Sequence, residues 1–331
     1  MGRSDVTPQD RTFLRREKGD MPGNVTVGLN GSPESFAAVK WAAKEAVLRE
    51  VALRIVHVQE WPVPPEHVKH IATRPPFNDH PTGPRASSRY EGLLEVATAE
   101  AESAHPGLTV SAENVSGAGL ASKALLAEAG TPGSTDLLVL GSQGLDRFTG
   151  FVIGTTSLPV AAASPCPVVL VRGWKTAGGK QEPLIKHPPG QLLLGIDIRG
   201  TEDYETLLEF GFSEAARRHC RLRILHAWAL PPTYAPAQTA DPGLGNELAG
   251  RIVQALEQVV EPWRQRFQEV TAQTGVVMGA PGAELVYASS EADLVIVGRR
   301  ERSLPVGPRL GHVTHAVIHH AASPVAIVPH P

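Results

Sequence analysis

The sequence predicts an α/β protein built from two tandem copies of an open, doubly wound, five-stranded parallel sheet. Three observations point there. Short β-branched runs alternate with helical stretches, which is the pattern of strands buried on both faces by crossover helices. The stretch "TDLLVLGSQG" at 135 returns as "ADLVIVGRRE" at 292. The chain is 331 residues long, material for about two domains of ordinary size.

The repeat sets the organisation. Asp136 and Asp293, Gly141 and Gly298, Gly154 and Gly311, and Pro167 and Pro324 stand at one constant interval with no gap. Earlier segments repeat at a slightly different interval: "VTVGLNGSPES" at 25 with "LLLGIDIRGTE" at 192, and "LRIVHVQEW" at 53 with "LRILHAWAL" at 222. The copies therefore span 23–173 and 190–331, each large enough to fold alone, joined by a Gly/Pro/Lys-rich linker at 174–189. Residues 1–22 are polar, lack a signal-peptide apolar core and read as a flexible tail.

Within the first copy the elements follow in order. "NVTVGLN" is a β-branched strand. "SPESFAAVKWAAKEAVLRE" opens with Ser32 as N-cap, Pro33 at the first helical position and Glu34 in the first turn, and Phe36, Val39, Ala43 and Val47 are expected to form its apolar stripe. "VALRIVHV" is the second strand. A Pro-rich segment at 62–85 reads as an insert, with a lid as the competing reading. "ASSRYEGLLEVATAEAES" is a helix, "LTVSAENV" a strand, "GLASKALLAEAG" a helix and "DLLVLG" a strand ending at Gly141. "TTSLPVAAAS" is a helix that Pro159 shortens or bends, and "CPVVLVR" is the last strand.

Composition removes several function classes. The net charge is −3, with 42% hydrophobic and 20% charged residues, so neither a nucleic-acid binder nor a membrane-surface protein is expected. No stretch reaches the roughly 18 apolar residues of a membrane helix. Cys166 and Cys220 are the two cysteines; they fit no zinc pattern and suit a reducing, cytoplasmic setting.

The chemistry concentrates after the strand "DLLVLG". Gly141 is followed two residues on by Gly144 and nine residues further by Gly154, which precedes Thr155, Thr156, Ser157 and a helix. A strand end, glycines without a Cβ and a hydroxyl-rich helix start together make an anion site, because free N–H groups and the helix dipole favour phosphate. Taken alone, these residues fit a phosphate site and a plain turn with a Thr N-cap equally well.

The spacing Gly-x2-Gly-x9-Gly-[Ser/Thr] after "DLLVLGS", with "VGLNGSPES", "RIVHV" and "SPCPVVLV" around it, resembles the ATP-binding signature of the universal stress proteins. The likeness covers nearly all of both copies. It implies a Rossmann-like sheet of the nucleotide-binding α-hydrolase type and adenine-nucleotide binding in the first copy, with ATP, with or without Mg, as cofactor. By position, Leu29 and Asn30 would face the adenosine and Val58 would offer backbone groups to adenine. Leu140, Gly141 and Gly144 would line the ribose and α-phosphate, and Gly154, Thr155, Thr156 and Ser157 would hold the outer phosphates. The family usually has Asp where Asn30 stands; Asn keeps an acceptor and gains a donor but loses the charge useful for a metal. The resemblance also implies that "CPVVLVR" and "SPVAIVP" pair within one chain, which leaves a further homodimer open.

The second copy departs further. Glu301 replaces the second motif glycine, His312 replaces the hydroxyl after Gly311, and Pro305 and Pro308 alter the loop. Glu301 is expected to set a negative charge where phosphate would approach, so this copy is read as structural. The remaining signals read as packing. "VSGAGLAS" at 115 is a tight turn, because Asp136 opens the next strand where a dinucleotide site needs an acid closing it. His57 and His226 are packed strand histidines with no triad around them. His312, His315 and His319 share a helix face without a carboxylate or cysteine, so no metal site is expected. There is no Walker lysine and no acid–base pair of carboxylates. The leading reading is an ATP-binding stress-response regulator with one site. The alternatives are a scaffold that binds no nucleotide and a slow ATPase.

Overall fold

The computed structural model describes residues 23–61, 84–118, 120–142, 156–172, 174–175, 181–182, 190–199, 204–229, 243–301 and 310–331. The expected tail, most of the Pro-rich segment at 62–85, and Gly144, Gly154, Thr155, Pro305 and Pro308 lie outside the described residues.

The first copy forms β1 (Asn24–Gly28), α1 (Pro33–Arg49), β2 (Leu53–Trp61), α2 (Pro84–Ala104), β3 (Val110–Ala118), α3 (Ala121–Gly130), β4 (Thr135–Ser142), α4 (Ser157–Ala163) and β5 (Val168–Arg172). A two-strand hairpin, β6 (Trp174–Lys175) with β7 (Gln181–Glu182), occupies part of the expected linker. The second copy repeats the order with β8 (Gln191–Gly195), α5 (Glu205–Arg218), β9 (Arg221–Trp228), α6 (Leu244–Arg266), β10 (Ala272–Met278), α7 (Pro281–Ala288), β11 (Leu294–Arg300), α8 (His312–His320) and β12 (Val325–His330). Gly117 belongs to β3 rather than to a turn after it.

The fold is α/β with a mostly parallel sheet. The two expected sheets are joined into one of ten strands, in the order β10-β9-β8-β11-β12-β5-β4-β1-β2-β3. Every pairing in it is parallel except the central one, where β12 runs antiparallel to β5 with Val325 opposite Leu170, Ala326 opposite Val169 and Ile327 opposite Val168. Burial on both faces explains why strands such as "LLVL" are continuously apolar.

The cores divide by face, not by copy. On one face α1, α2, α5 and α6 cover Val25, Val27, Leu53, Ile55, Leu192, Leu194 and Ile296. On the other, α3, α4, α7 and α8 cover Leu138, Leu140, Leu193, Val295 and Val297. Two conserved-in-position aspartates tie down the strand starts: Asp136 accepts from the Gly23 N–H at 3.0 Å, and Asp293 accepts from the Gly190 N–H at 2.7 Å.

Helix α1 begins as its sequence dictates. Ser32 is extended, its Oγ accepts from the Ser35 N–H at 3.2 Å, and Pro33 follows. Replacing Ser32 by Ala is expected to cost about 1 kcal/mol of stability, read as a lower urea midpoint at unchanged slope. The expected stripe is only partly correct. Val39 and Ala43 are buried, but Val47 is 45% exposed, and Ala38, Ala42 and Ala46 pack inward instead. Small side chains let the helix lie close to the sheet. Pro159 sits in the first turn of α4, where its missing N–H has no intrahelical partner to lose.

Two polar devices close the seam between the copies. On the face of α1 and α5, Glu45, Arg49, Glu214, Arg217 and Arg218 form one ionic cluster. Arg49 holds Glu45 at 2.6 Å and also pairs with Glu214, while Arg218 pairs with both Glu214 and Glu45. On the opposite face, Arg172 of β5 donates to the carbonyls of Ile318 and Ala321 at the end of α8. Arg299 of β11 donates at 2.5 Å to the Ser164 carbonyl at the end of α4. Cations suit these helix C-termini. Burial lowers the Arg172 pKa to about 10. No described helix is long and apolar enough to cross a membrane.

Candidate functional site

Strand order reverses between β1 and β4, whose crossovers leave on opposite sides of the sheet. A crevice opens there beyond the carboxyl ends of the strands, as such topology requires. Seven of the expected site residues line it: Leu29, Asn30, Val58, Leu140, Gly141, Thr156 and Ser157. Gly144, Gly154 and Thr155 fall outside the described residues. The sequence reading did not place Gly28, Ser32, Ser35, Val56, Ala121 and Leu125 in the site, yet they line it too. Only Ser32 had a visible signal, as the N-cap of a helix starting at the strand end.

The crevice has an apolar side and a polar side. Val56, Val58, Leu125 and Leu140 form the first; Asn30, Ser32, Ser35, Thr156 and Ser157 form the second. Several polar groups are already committed. The Ser35 hydroxyl donates to the Ser32 carbonyl at 2.7 Å, and the Ser157 hydroxyl donates to the Gly141 carbonyl at 2.9 Å. Asn30 Oδ1 accepts from the Ser32 N–H at 3.0 Å, which leaves its exposed amide to donate outward. Among the described residues no side chain caps α4 at Thr156, so its first N–H groups are open there as donors. Ser142 Oγ, buried and next to Gly141, has no hydrogen-bond partner among the described residues.

Gly141 has a packing reason of its own. A Cβ there would stand 2.6 Å from the Glu34 carbonyl carbon and 2.7 Å from the Ser35 nitrogen. Its absence lets β4 approach the first turn of α1. The histidines on the second strands are packed, as expected from the sequence. His57 Nδ1 lies 2.8 Å from the Leu29 carbonyl, with its ring stacked on Tyr90, and His226 Nδ1 lies 3.0 Å from the Ile196 carbonyl. Each therefore steadies the strand end beside its crevice.

The second copy has a crevice at the matching place, with about 230 Å³ of space against about 80 Å³ in the first. Its charge differs from the sequence expectation. Glu301 is not among its lining residues: its N–H donates to the His330 carbonyl at 2.7 Å, and its carboxylate lies 3.9 Å from Arg299. Asp197, Arg199, Arg300, His312 and His330 line the space instead. Asp197 is held by Arg199 at 3.0 Å. Burial pushes the Asp197 carboxyl up, but the Arg199 hydrogen bonds outweigh it and leave the pKa lowered. Thr314 donates to the Gly298 carbonyl at 2.9 Å, as Ser157 does to Gly141.

A family model described as the universal stress protein family matches residues 21–172 and 190–329. The chain is 30% identical over 316 residues to the universal stress protein Rv2005c of Mycobacterium tuberculosis, covering 92% of this chain and 96% of that one. It is 28% identical over 327 residues to Rv2623 of the same organism, covering 92% and 95%. Among solved structures, a universal stress protein from Archaeoglobus fulgidus superposes with a TM-score of 0.64 at 16% identity, over 92% of this chain and 98% of that one.

Proposed function

The chain belongs to the universal stress protein family, and from that premise we propose that it is a cytoplasmic, adenine-nucleotide-binding stress-response regulator with one competent site. That site lies in a first domain at 23–173; a second domain at 190–331 supports it. The observation that carries the reading is the crevice between β1 and β4, whose apolar side suits a purine and whose polar side ends at the uncapped start of α4. ATP, with or without Mg, is the ligand. Val56, Val58 and Leu125 receive the base, the Asn30 amide meets the ribose, and Thr156 and Ser157 contribute N–H groups to phosphate. The Ser157 hydroxyl itself acts as a clamp on Gly141. Binding then works by changing conformation or partner choice; among the described residues that line the crevice there is no acid–base pair of side chains.

A scaffold that binds no nucleotide is the second reading. It is favoured by the number of site hydroxyls already engaged within the chain. Calorimetric titration of the full chain with Mg-ATP separates the two. The expected result is one site per chain, abolished by Val58→Glu, which sets a carboxylate among the base contacts and opposes the phosphates. Two sites would overturn the single-site reading and bring in the second crevice. No heat in nucleotide-free protein at millimolar ATP would leave the scaffold.

A further inference from the structure

Helix α8 carries His312, His315, His319 and His320, and the structure treats them unequally. His315 is exposed and His319 is 9% exposed, with the two rings one helical turn apart on the same face. Their Nε2 atoms are 3.2 Å apart while their ring centroids are 4.2 Å apart, so the rings lean together at their Nε2 edges. We propose that His315 and His319 form a two-imidazole chelate for a divalent transition-metal cation of the zinc, nickel or copper class.

The distances fit. A zinc ion at its usual bond length of about 2.0–2.1 Å from both nitrogens would subtend an angle of about 100°, near tetrahedral. Closing the ring tilt of 33° to that geometry takes rotation about the soft terminal torsion of each histidine. Imidazole nitrogen selects this class of cation over calcium or magnesium, which take oxygen.

Three further observations bear on the site. His319 is largely buried, and its Nδ1 has no hydrogen-bond partner among the described residues, so the ring is held with its Nε2 edge toward His315. Arg172 brings a like charge close, but it donates to the Ile318 and Ala321 carbonyls, and the negative end of the α8 dipole lies at the same turn. No group of three or more His, Cys, Asp or Glu that could hold a metal occurs among the described residues. Water therefore completes the coordination, which makes the site open and exchangeable rather than a closed structural one. A metal bridging one turn of α8 would also stiffen the helix whose start, His312 to Thr314, lines the second crevice.

The test is zinc titration of the chelator-stripped full chain by calorimetry, alongside visible absorption with cobalt as a coordination probe. One zinc per chain is expected, with cobalt bands of nitrogen–oxygen ligation. Affinity should fall more than about tenfold in His315→Gln and be kept in His320→Gln. His315 is exposed, so its replacement leaves the fold intact, and an unchanged urea midpoint without metal checks this. Equal zinc affinity in wild type and His315→Gln, or no binding at millimolar zinc, would overturn the proposal.

Discussion

Replacing Glu214 by Gln is expected to remove about 3–5 kcal/mol of stability, because it strips the charge from one side of a buried ion cluster while leaving the other side in place. Glu214 is 1% exposed and accepts from Arg49, Arg217 and Arg218. Without it, Arg49 and Arg218 are left with Glu45 alone, and Arg217 loses its carboxylate. Urea unfolding reads the loss. Arg217→Ala is the control: its side chain is 32% exposed, and an ion pair that open to water contributes about 0–1 kcal/mol. Equal losses in the two variants would mean that burial of Glu214 is not what matters.

The same cluster gives the variant a pH signature. Burial pushes the Glu214 pKa up, but Arg218, Arg49 and Arg217 outweigh it and leave it lowered in the folded chain. A lowered folded pKa contributes stability that is present above the unfolded glutamate value of about 4.3 and lost as pH falls through the folded value. Glu45 has the opposite sign: burial, then the charge of Glu214, raises its pKa. On acidification Glu45 takes the first proton, which favours the folded state, and Glu214 takes the last. The stability gap between wild type and Glu214→Gln should therefore narrow below about pH 4.3. A gap that stays constant into stronger acid would sink this account.

Gly141→Ala is expected to cost about 1–3 kcal/mol through overpacking and to weaken nucleotide binding with it. The new methyl meets main-chain atoms of Glu34 and Ser35, which cannot turn aside as a side chain can. It pushes the first turn of α1 outward, and Ser32 and Ser35 on that turn line the crevice. The repeat supplies the comparison. At Gly298 a methyl would meet the His330 ring at 2.7 Å and a Leu207 methyl at 3.0 Å, both side-chain ends. Gly298→Ala should be the milder change and leave the first crevice unaltered. If both cost the same, the backbone contact at Gly141 is not the cause.

Much of this was legible in the sequence, because periodicity reports directly on which groups leave water. The alternation of apolar strands and helices gave the sheet, and the constant interval from Asp136 to Pro167 gave the repeat. What escaped depended on partners far along the chain. Glu45 and Arg49 look like an ordinary exposed helix pair, and only the approach of Glu214 and Arg218 buries them. Val47 was placed inward by helical period alone, but α1 packs through its alanines. Glu301 was placed in the second crevice by alignment, whereas a bond from its own backbone to His330 carries it aside. Gly141 is read from the sequence as a point of close approach to a ligand; in the fold its missing Cβ admits the main chain of α1, a neighbour that could not be named without the structure.

The antiparallel contact between β5 and β12 reverses strand direction at the centre of the sheet. Crevices form at the carboxyl ends of parallel strands, so the two copies open theirs at opposite edges of the molecule. The two mouths therefore face away from each other. Among the described residues, the copies meet through three paired residues per strand and the two sets of arginine contacts that flank them, back to back at the middle of the sheet.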